Sequence, residues 1–271
     1  DEGLILPELA GGNRLALELR VPSRGNIYDR DGKALAYQGT SYELGVVPGL
    51  IADEPGLLAV LSATLNLPPE DIQAKYATAL PDWYVPVGVV SEEVLQTHAL
   101  ALEPFLNKGL ATPDRRPSRL YSESDSAAHV IGYMGPIPAD QVADYKARGY
   151  RGDELVGLAG LEAWGEEYLN GERGGILSVV DPAGNVVKVL QDREPQPARS
   201  LYTSIDLDFQ AAVEKALADA IATHPGASYG AIVVLDPNNG AVRAMATYPS
   251  YHPQAFDPLR QLAGFGGIDH R

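Results

Sequence analysis

The 271-residue chain carries 36 acidic and 21 basic residues, which gives a formal net charge of −15 at pH 7. This balance argues against a nucleic-acid partner, because binding to phosphates needs clustered positive charge. Apolar residues make up 45% of the chain and charged residues 21%, as in a folded globular protein, and the lack of cysteine excludes disulfides and thiolate metal sites.

In chain order, the sequence predicts a strand at 14–19, helices at 53–65 and 69–80, a strand at 83–90 and a helix capped by Ser91. The helices follow from apolar residues spaced three and four apart, and the proline pair at 68–69 stops the first and begins the second. Residues 104–117 are rich in proline and glycine, so a loop is expected there. A helix from Pro138 to about Arg148 is expected to end at Gly149.

Apolar residues recur at helical spacing within 160–170, which predicts an amphipathic helix. Its expected buried face consists of Leu161, Trp164, Tyr168 and Leu169. A β-hairpin of strands 176–180 and 186–190 should follow, because residues 181–185 (DPAGN) favour a turn. The proline-rich stretch 194–197 is typical of a linker, and we place the main domain boundary near it.

After the linker, Asp206 is expected to cap a helix. The apolar face of this helix consists of Phe209, Val213, Leu217 and Ile221. A second hairpin is predicted from strands 229–235 and 241–247. The nearly continuous apolar run at 229–235 is typical of a strand covered on both faces, and the preceding helix can cover only one of them. We therefore expect the segment from residue 199 onward to be poorly ordered or buried against another chain or the pedestal, whereas residues 1 to about 198 fold on their own.

Some local patterns resemble functional motifs but lack the required context. Residues 226–230 read GASYG, yet a G-x-S-x-G nucleophile needs a strand before Ser228 and a helix after it, and the predicted order is the reverse. Residues 29–32 could begin a calcium loop, but Lys33 and Thr40 stand where oxygen ligands belong. The histidines show no metal-ligand spacing. The residues alone therefore predict no catalytic, metal or cofactor site.

Residues 24–32 read RGNIYDRDG. This run predicts a short strand entering a tight turn, with Ile27 in a core and Asp29 accepting hydrogen bonds from an arginine fork. Taken alone, the run favours a charged surface hairpin.

Extended to residue 36, the run reads R-G-x-I-x-D-R-x-G-x-x-L-A, which resembles the opening signature of class B penicillin-binding proteins, the bacterial D,D-transpeptidases that cross-link peptidoglycan. Further stretches resemble that family's motifs in the expected order: 157–162 (GLAGLE), 204–210 (SIDLDFQ), the hairpin at 231–246 and 249–251 (PSY). A finer resemblance, on residues 76–86 and 131–137, is to the low-affinity, methicillin-resistance type. Leu158, Ala159, Ser122 and His252 depart from the family pattern.

The resemblance implies an α+β fold. Residues 1–198 would form an elongated, non-catalytic pedestal (dimerisation) domain of strands and hairpins, with a helical head lobe inserted at about 50–152. Residues 199–271 would be one helix and a β-hairpin, the N-terminal fragment of a transpeptidase domain. The expected structural motif residues are Arg24, Gly25, Asp29, Arg30, Gly32, Gly157, Gly160, Glu162 and Asp206. Of these, we expect Arg24, Asp29 and Arg30 to form a polar clasp near Glu162.

The family's nucleophile lies in S-x-x-K, and S-x-N and K-T/S-G complete its site. No lysine of this sequence follows a serine by three residues, and neither K-T-G nor K-S-G occurs. We therefore expect this chain to have no catalytic residue and to be inactive, whereas the resemblance implies a serine-type D,D-transpeptidase parent whose penicillin-binding part lies further along.

The resemblance also implies partners in the cell-wall machinery, namely a glycosyltransferase and division or elongation proteins, and it allows a homodimer. The implied location is the extracytoplasmic face of the bacterial cell membrane, through an anchor outside this sequence. The opening residues show no signal or apolar span, which fits either a cytosolic protein or a chain cut after such an anchor. The alternative is a freestanding, non-enzymatic cell-wall or protein-interaction module that reuses the pedestal fold.

Overall fold

The computed structural model describes residues 6–122 and 126–256. Its helices are α1 (Glu54–Leu65), α2 (Pro69–Tyr76), α3 (Glu92–Leu102), α4 (Ala128–Ile131), α5 (Val142–Ala147), α6 (Gly160–Trp164), α7 (Glu166–Leu169) and α8 (Leu207–Thr223). Its strands are β1 (Arg14–Arg20), β2 (Ile27–Tyr28), β3 (Ala34–Val46), β4 (Val85–Ser91), β5 (Asp114–Tyr121), β6 (Met134–Pro136), β7 (Leu155–Gly157), β8 (Gly174–Val180), β9 (Val186–Arg193), β10 (Leu201–Tyr202), β11 (Gly230–Leu235) and β12 (Val242–Tyr248). This mixture of helices and strands confirms the predicted α+β class.

The largest sheet has the strand order β10-β2-β3-β4, and β5 also pairs with β3. Strand β3 is 13 residues long and contributes to two separate cores. Near its start, Leu35 is buried with Ile27, as the sequence predicts for Ile27. Near its end, Leu44 and Val46 pack against α1, α2 and α3. One strand therefore links the core that holds the candidate site to the helical core.

The helices predicted around the second core are confirmed, with one difference in length. Helix α2 ends at Tyr76, short of the expected end near residue 80. The predicted cap of α3 is present, because the Ser91 hydroxyl accepts a hydrogen bond from the Val94 N–H at 3.3 Å. Leu57, Leu61 and Ile72 are fully buried between these helices and the sheet.

The loop expected at 104–117 ends earlier than predicted, because β5 begins at Asp114 and places Pro117 opposite Thr40. Among the described strands, β5 pairs with β3 alone, and an edge strand tolerates a proline that an internal strand excludes. The helix expected from Pro138 is also shorter than predicted and begins only at Val142.

A smaller sheet has the order β1-β8-β9, and β6 pairs with β7 in a two-stranded ladder. The hairpin predicted at 176–190 is confirmed as β8 and β9. Its turn is held by Asp181, whose carboxylate accepts hydrogen bonds from the backbone N–H groups of Ala183 and Asn185 at 2.9 and 2.8 Å.

The C-terminal part of the described chain is a layer in which α8 covers one face of the β11–β12 hairpin. Val213 and Leu217 of the helix are buried against Ala244 and Ala246 of β12. Within the described residues only the α8 side of β11 is covered, because Val233 on the opposite face is 54% exposed, and cover of that face by another chain stays a prediction. Burial alternates along β11, as in a strand with one solvated face. Within residues 6–122 and 126–256, no helix has the length and hydropathy needed to span a bilayer.

Candidate functional site

Four charged side chains from distant parts of the chain meet in the core at the start of β3: Arg24, Arg119, Glu162 and Glu166. Their side chains are between 0 and 7% exposed. Arg24 precedes β2, Arg119 lies on β5, and the two glutamates lie on α6 and α7. We call these four residues the buried charge cluster.

Glu162 bridges the two arginines of the buried charge cluster. One carboxylate oxygen lies 2.7 Å from Arg24 Nη2, and the other accepts a hydrogen bond from Arg119 Nε at 2.6 Å. Arg24 Nη1 also donates to Glu166 at 2.8 Å. Two cations therefore face two carboxylates, and the group is neutral.

The remaining polar atoms of the cluster bind mainly backbone. Arg24 donates to the Glu162 carbonyl at 3.0 Å, and Arg119 donates to the Gly25 carbonyl at 2.8 Å. Glu166 accepts hydrogen bonds from the Gly157 N–H at 2.9 Å and from the Tyr150 hydroxyl at 2.8 Å. Both carboxylates are thus committed to fixed donors, which suits a structural role and leaves neither as a free base.

The pKa directions reflect this burial and pairing. Burial lowers the pKa of Arg119, and Glu162 offsets only part of that effect. Burial also acts to lower the pKa of Arg24, but Glu162 and Glu166 together outweigh it, so that pKa is raised. Burial, and then the neighbouring Glu166, raise the pKa of the Tyr150 hydroxyl to about 12.

Two of the motif glycines are required by close backbone approach at this site. A Cβ atom on Gly157 would lie 2.0 Å from the Glu162 carbonyl oxygen, and one on Gly25 would lie 2.2 Å from that of Arg199. Any larger residue would therefore push apart the segments that carry Glu162 and Arg24. Gly160 begins α6, and Gly32 lies in the turn between β2 and β3.

Asp29 lies outside the buried charge cluster, and the expectation that an arginine fork binds it is wrong. Asp29 is 1% exposed, and its carboxylate accepts three hydrogen bonds from backbone N–H groups. Two come from Asp31 and Lys33 in the following turn, both at 2.8 Å. The third comes from Leu207, the first residue of α8, at 3.2 Å. Asp29 therefore ties the β2 turn to the C-terminal layer.

Arg30 and Asp206 lie beside this connection. The Arg30 side chain is 42% exposed and lies 3.9 Å from the carboxylates of Asp31 and Asp206, whereas the ion pairs of Glu162 are with Arg24 and Arg119, so the clasp expected between Arg30 and Glu162 does not form. Asp206 caps α8, because its carboxylate accepts the Phe209 N–H at 3.1 Å, as predicted. Of the three residues expected in the clasp, only Arg24 meets Glu162.

The sequence did not identify Arg119, Glu166 or Tyr150 as partners in this site. The expected single helix at 160–170 is two short helices that meet at Gly165. Trp164, predicted to be buried, is 68% exposed, whereas Glu162 and Glu166 face inward. The available signal was the i, i+4 spacing of these two acids, which places them on one face of a helical segment.

Neither the G-x-S-x-G pattern nor a metal site finds support in the described residues. Ser228 lies exposed between α8 and β11, in the helix-then-strand order that does not suit a nucleophile elbow. In the described part of the chain, no group of histidine, aspartate and glutamate side chains is arranged to hold a metal ion.

Comparison with known proteins identifies one family to which this chain is similar. Residues 19–203 match the sequence model of the penicillin-binding protein dimerisation domain. The chain is 32% identical over 256 residues to the peptidoglycan D,D-transpeptidase MrdA of Salmonella typhimurium, covering 92% of this chain and 40% of that protein. The chain thus spans well under half the length of this curated relative.

Two solved structures share the fold. One, described as the structural coordination of polymerization and crosslinking by a peptidoglycan synthase complex, has a TM-score of 0.56 and 29% identity and covers 97% of this chain and 45% of that one. The other is a complex of penicillin-binding protein PBP2 with MreC from Helicobacter pylori, with a TM-score of 0.56, 23% identity and coverage of 90% and 44%. The finer resemblance to the methicillin-resistance type is not confirmed by these comparisons.

Proposed function

The chain belongs to the family of penicillin-binding protein dimerisation domains, and we propose that it serves as the non-catalytic pedestal of an enzyme that cross-links peptidoglycan. The observation that carries this proposal is the buried charge cluster. It joins the segment before β2, strand β5 and helices α6 and α7 through ion pairs. Both of its carboxylates accept hydrogen bonds from fixed donors. Such a buried, ion-paired cluster rigidifies a support.

The pedestal in this proposal comprises residues 1–198, with a head lobe at about 50–152, and residues 199–271 begin a transpeptidase domain. Support comes from the family match, which ends at residue 203. The contact between Asp29 and the N-terminus of α8 would transmit the rigidity of the pedestal to the catalytic domain. Strand β10 pairs with β2 and so would lie at the junction of the two domains.

The acylation chemistry would reside in a part of a longer protein that this sequence does not contain. This follows from the absence of S-x-x-K and K-T/S-G, together with the 40% share of the Salmonella relative that the chain spans. The parent would be a serine-type D,D-transpeptidase. The rival proposal, a freestanding interaction module, is not favoured, because the similarity to a transpeptidase extends over 92% of the chain.

We further propose an extracytoplasmic location, with the protein held at the membrane by an anchor outside this sequence. The proposed partners are proteins of the cell-wall machinery, such as a glycosyltransferase and an elongation or division protein. The two structural neighbours support this choice, since one is a complex with MreC and the other a peptidoglycan synthase complex. Neither description supports a homodimer.

The test is covalent labelling with a fluorescent penicillin, followed by a denaturing gel. We expect no label on this chain, and a labelled band for the full-length Salmonella relative as the positive control. Replacing the matching part of that relative with this chain should preserve labelling, because the pedestal only supports the catalytic domain. A stoichiometric label on the isolated chain would contradict the proposal.

A further inference from the structure

Ala127, the residue before α4, has an unusual backbone conformation. Its φ angle is +63°, in the left-handed region that residues with a side chain rarely adopt. Such a conformation costs free energy and persists only where surrounding contacts impose it. Ala127 is 1% exposed, and its N–H donates to the Glu214 carboxylate of α8 at 2.8 Å. This contact with α8 therefore helps to hold the start of α4 in a strained state.

The Glu214 carboxylate belongs to a hydrogen-bond relay that reaches β12. The oxygen that accepts the Ala127 N–H also accepts a hydrogen bond from Gln210 Nε2 at 2.7 Å. Gln210 has no exposed surface, and its amide binds both backbone groups of Met245. Its Nε2 donates to the Met245 carbonyl at 2.9 Å, and its Oε1 accepts the Met245 N–H at 2.7 Å. Two side chains thus connect Ala127 to β12.

Helix α4 also binds the P-S-Y segment (249–251), which follows β12. The Tyr251 hydroxyl donates to the Ala128 carbonyl at 2.8 Å, and His129 Nε2 donates to the Pro249 carbonyl at 3.3 Å. The rings of His129 and Tyr251 meet edge to face, with centroids 4.6 Å apart. The start of α4 is therefore bound both to α8 and to the segment after β12.

At its other end, α4 packs against the start of α6, backbone against backbone. A Cβ atom on Gly132, just after α4, would lie 1.9 Å from the Ala159 carbonyl oxygen. One on Gly160 would lie 2.5 Å from the Val130 carbonyl oxygen. Such contacts contain no side chain that could adjust, so a shift of α6 moves α4 as well. Helix α6 carries Glu162 of the buried charge cluster, so a displacement of the cluster would reach the start of α4.

We propose that residues 127–131 form a strained lever that couples the buried charge cluster to β12 and the P-S-Y segment. Glu214 holds the lever in place. When α6 shifts, the contact with Glu214 breaks, Ala127 relaxes to a negative φ angle, and Gln210 loses one of its restraints. The consequence for catalysis rests on the proposed function, because there β12 belongs to the beginning of the catalytic domain. A partner that displaces α6 would then change the order of that domain from a distance.

Amide hydrogen exchange, followed by NMR, tests the lever through three backbone N–H groups. The Ile131 N–H donates to the Ala127 carbonyl at 2.8 Å and reports on α4. The Met245 N–H, bound to the relay, reports on β12. The Gly157 N–H donates to the buried charge cluster at 2.9 Å and reports on it. The amides of β4, in the helical core, provide the reference for global opening of the chain.

Glu214→Ala should raise the exchange rates of Ile131 and Met245 by about tenfold, because a hydrogen bond that restrains each of them indirectly is lost. The rate of Gly157 should rise too, because coupling between two sites is reciprocal. Glu214→Gln keeps an acceptor oxygen and should match the unaltered chain. The matched control is Asp219→Ala, which removes a 65% exposed acid from the same helix and should change none of the three rates.

Ala127→Gly separates backbone strain from ordinary packing. Glycine adopts a positive φ angle without steric cost. Added to Glu214→Ala, it should therefore return the Ile131 rate toward that of the unaltered chain and leave the Met245 rate raised. The proposal is overturned if the glycine does not slow exchange at Ile131, or if Glu214→Ala leaves Met245 or Gly157 unchanged. None of these outcomes involves penicillin labelling, so failure here is distinguishable from failure of the proposed function.

Discussion

Arg24 and Glu162 are separated by 138 positions in the sequence, yet the arginine Nε donates to the glutamate carboxylate at 2.9 Å in the protein interior. Glu162 has no exposed surface, and its second oxygen binds Arg119. The stability of the fold therefore depends on a contact that closes a long loop of chain between β2 and α6. Removing one partner of such a buried ion pair lowers the free energy of unfolding much more than replacing both partners with apolar residues of similar size.

Replacing Glu162 should therefore be severely destabilising. Glu162→Ala leaves Arg24 and Arg119 buried without their shared partner, and we expect a loss of roughly 3 to 5 kcal/mol in the free energy of unfolding. Urea denaturation followed by circular dichroism measures this loss. The matched control is Glu167→Ala in the next helix, an exposed acid whose removal should change stability by less than about 0.5 kcal/mol. A loss below about 1 kcal/mol for Glu162→Ala would show that the pair is solvated.

Asp29 should stabilise the junction with the C-terminal layer. Asp29→Ala leaves three backbone N–H groups without their acceptor, and we expect a loss of about 3 kcal/mol, together with faster hydrogen exchange at Leu207. Asp31→Ala serves as the control, because the Asp31 side chain is 61% exposed. Unchanged exchange at Leu207 in Asp29→Ala would show that the carboxylate does not hold the start of α8.

Local features of this fold could be predicted from the sequence, whereas the contacts of the site could not. Ser91 and Asp206 cap their helices as predicted, because a cap depends on residues only three positions apart. Helical periodicity predicts Trp164 on the buried face of one continuous helix, but the chain turns at Gly165 and leaves Trp164 exposed.

The partners in the buried charge cluster depend on tertiary pairing. Arg119 reaches Glu162 only because β5 pairs with β3, and β5 lies partly in a stretch whose proline content favours a loop. Family resemblance indicates that Arg24 and Glu162 belong near each other, whereas the residue pattern of 24–32 predicts an arginine partner for Asp29. Long-range hydrogen bonds leave no periodic signal in a single sequence, so neither partner could be assigned by pattern.

Glu154 should make stability depend on pH in the acidic range. Burial acts to raise the pKa of this carboxyl, but the N–H groups of Arg151 and Gly152 and the charge of Arg173 outweigh it, so the pKa lies below the ordinary 4.5. The unfolded state therefore binds a proton at higher pH than the folded state does. The contribution of Glu154 is present above about pH 4.5 and is lost as the pH falls through the lowered pKa.

Comparing Glu154→Gln with the unaltered chain tests this dependence. The difference in the urea midpoint should be largest near neutral pH and should shrink as the pH drops below 4.5. A carboxyl carbon NMR titration should place the midpoint of Glu154 below its ordinary value. A difference in urea midpoint that grows on acidification would have the wrong sign and would contradict the assignment.

The two faces of the β11–β12 hairpin should respond very differently to truncation. Leu217 of α8 is 6% exposed against the covered face, so Leu217→Ala should cost roughly 2 to 4 kcal/mol in the free energy of unfolding. Val233 lies on the open face and is 54% exposed, so Val233→Ala should cost less than about 1 kcal/mol. Urea denaturation at two protein concentrations gives both values. If Val233→Ala costs as much as Leu217→Ala, and the loss depends on concentration, the open face is covered by a second copy in solution, because exposed apolar hairpins recruit partners.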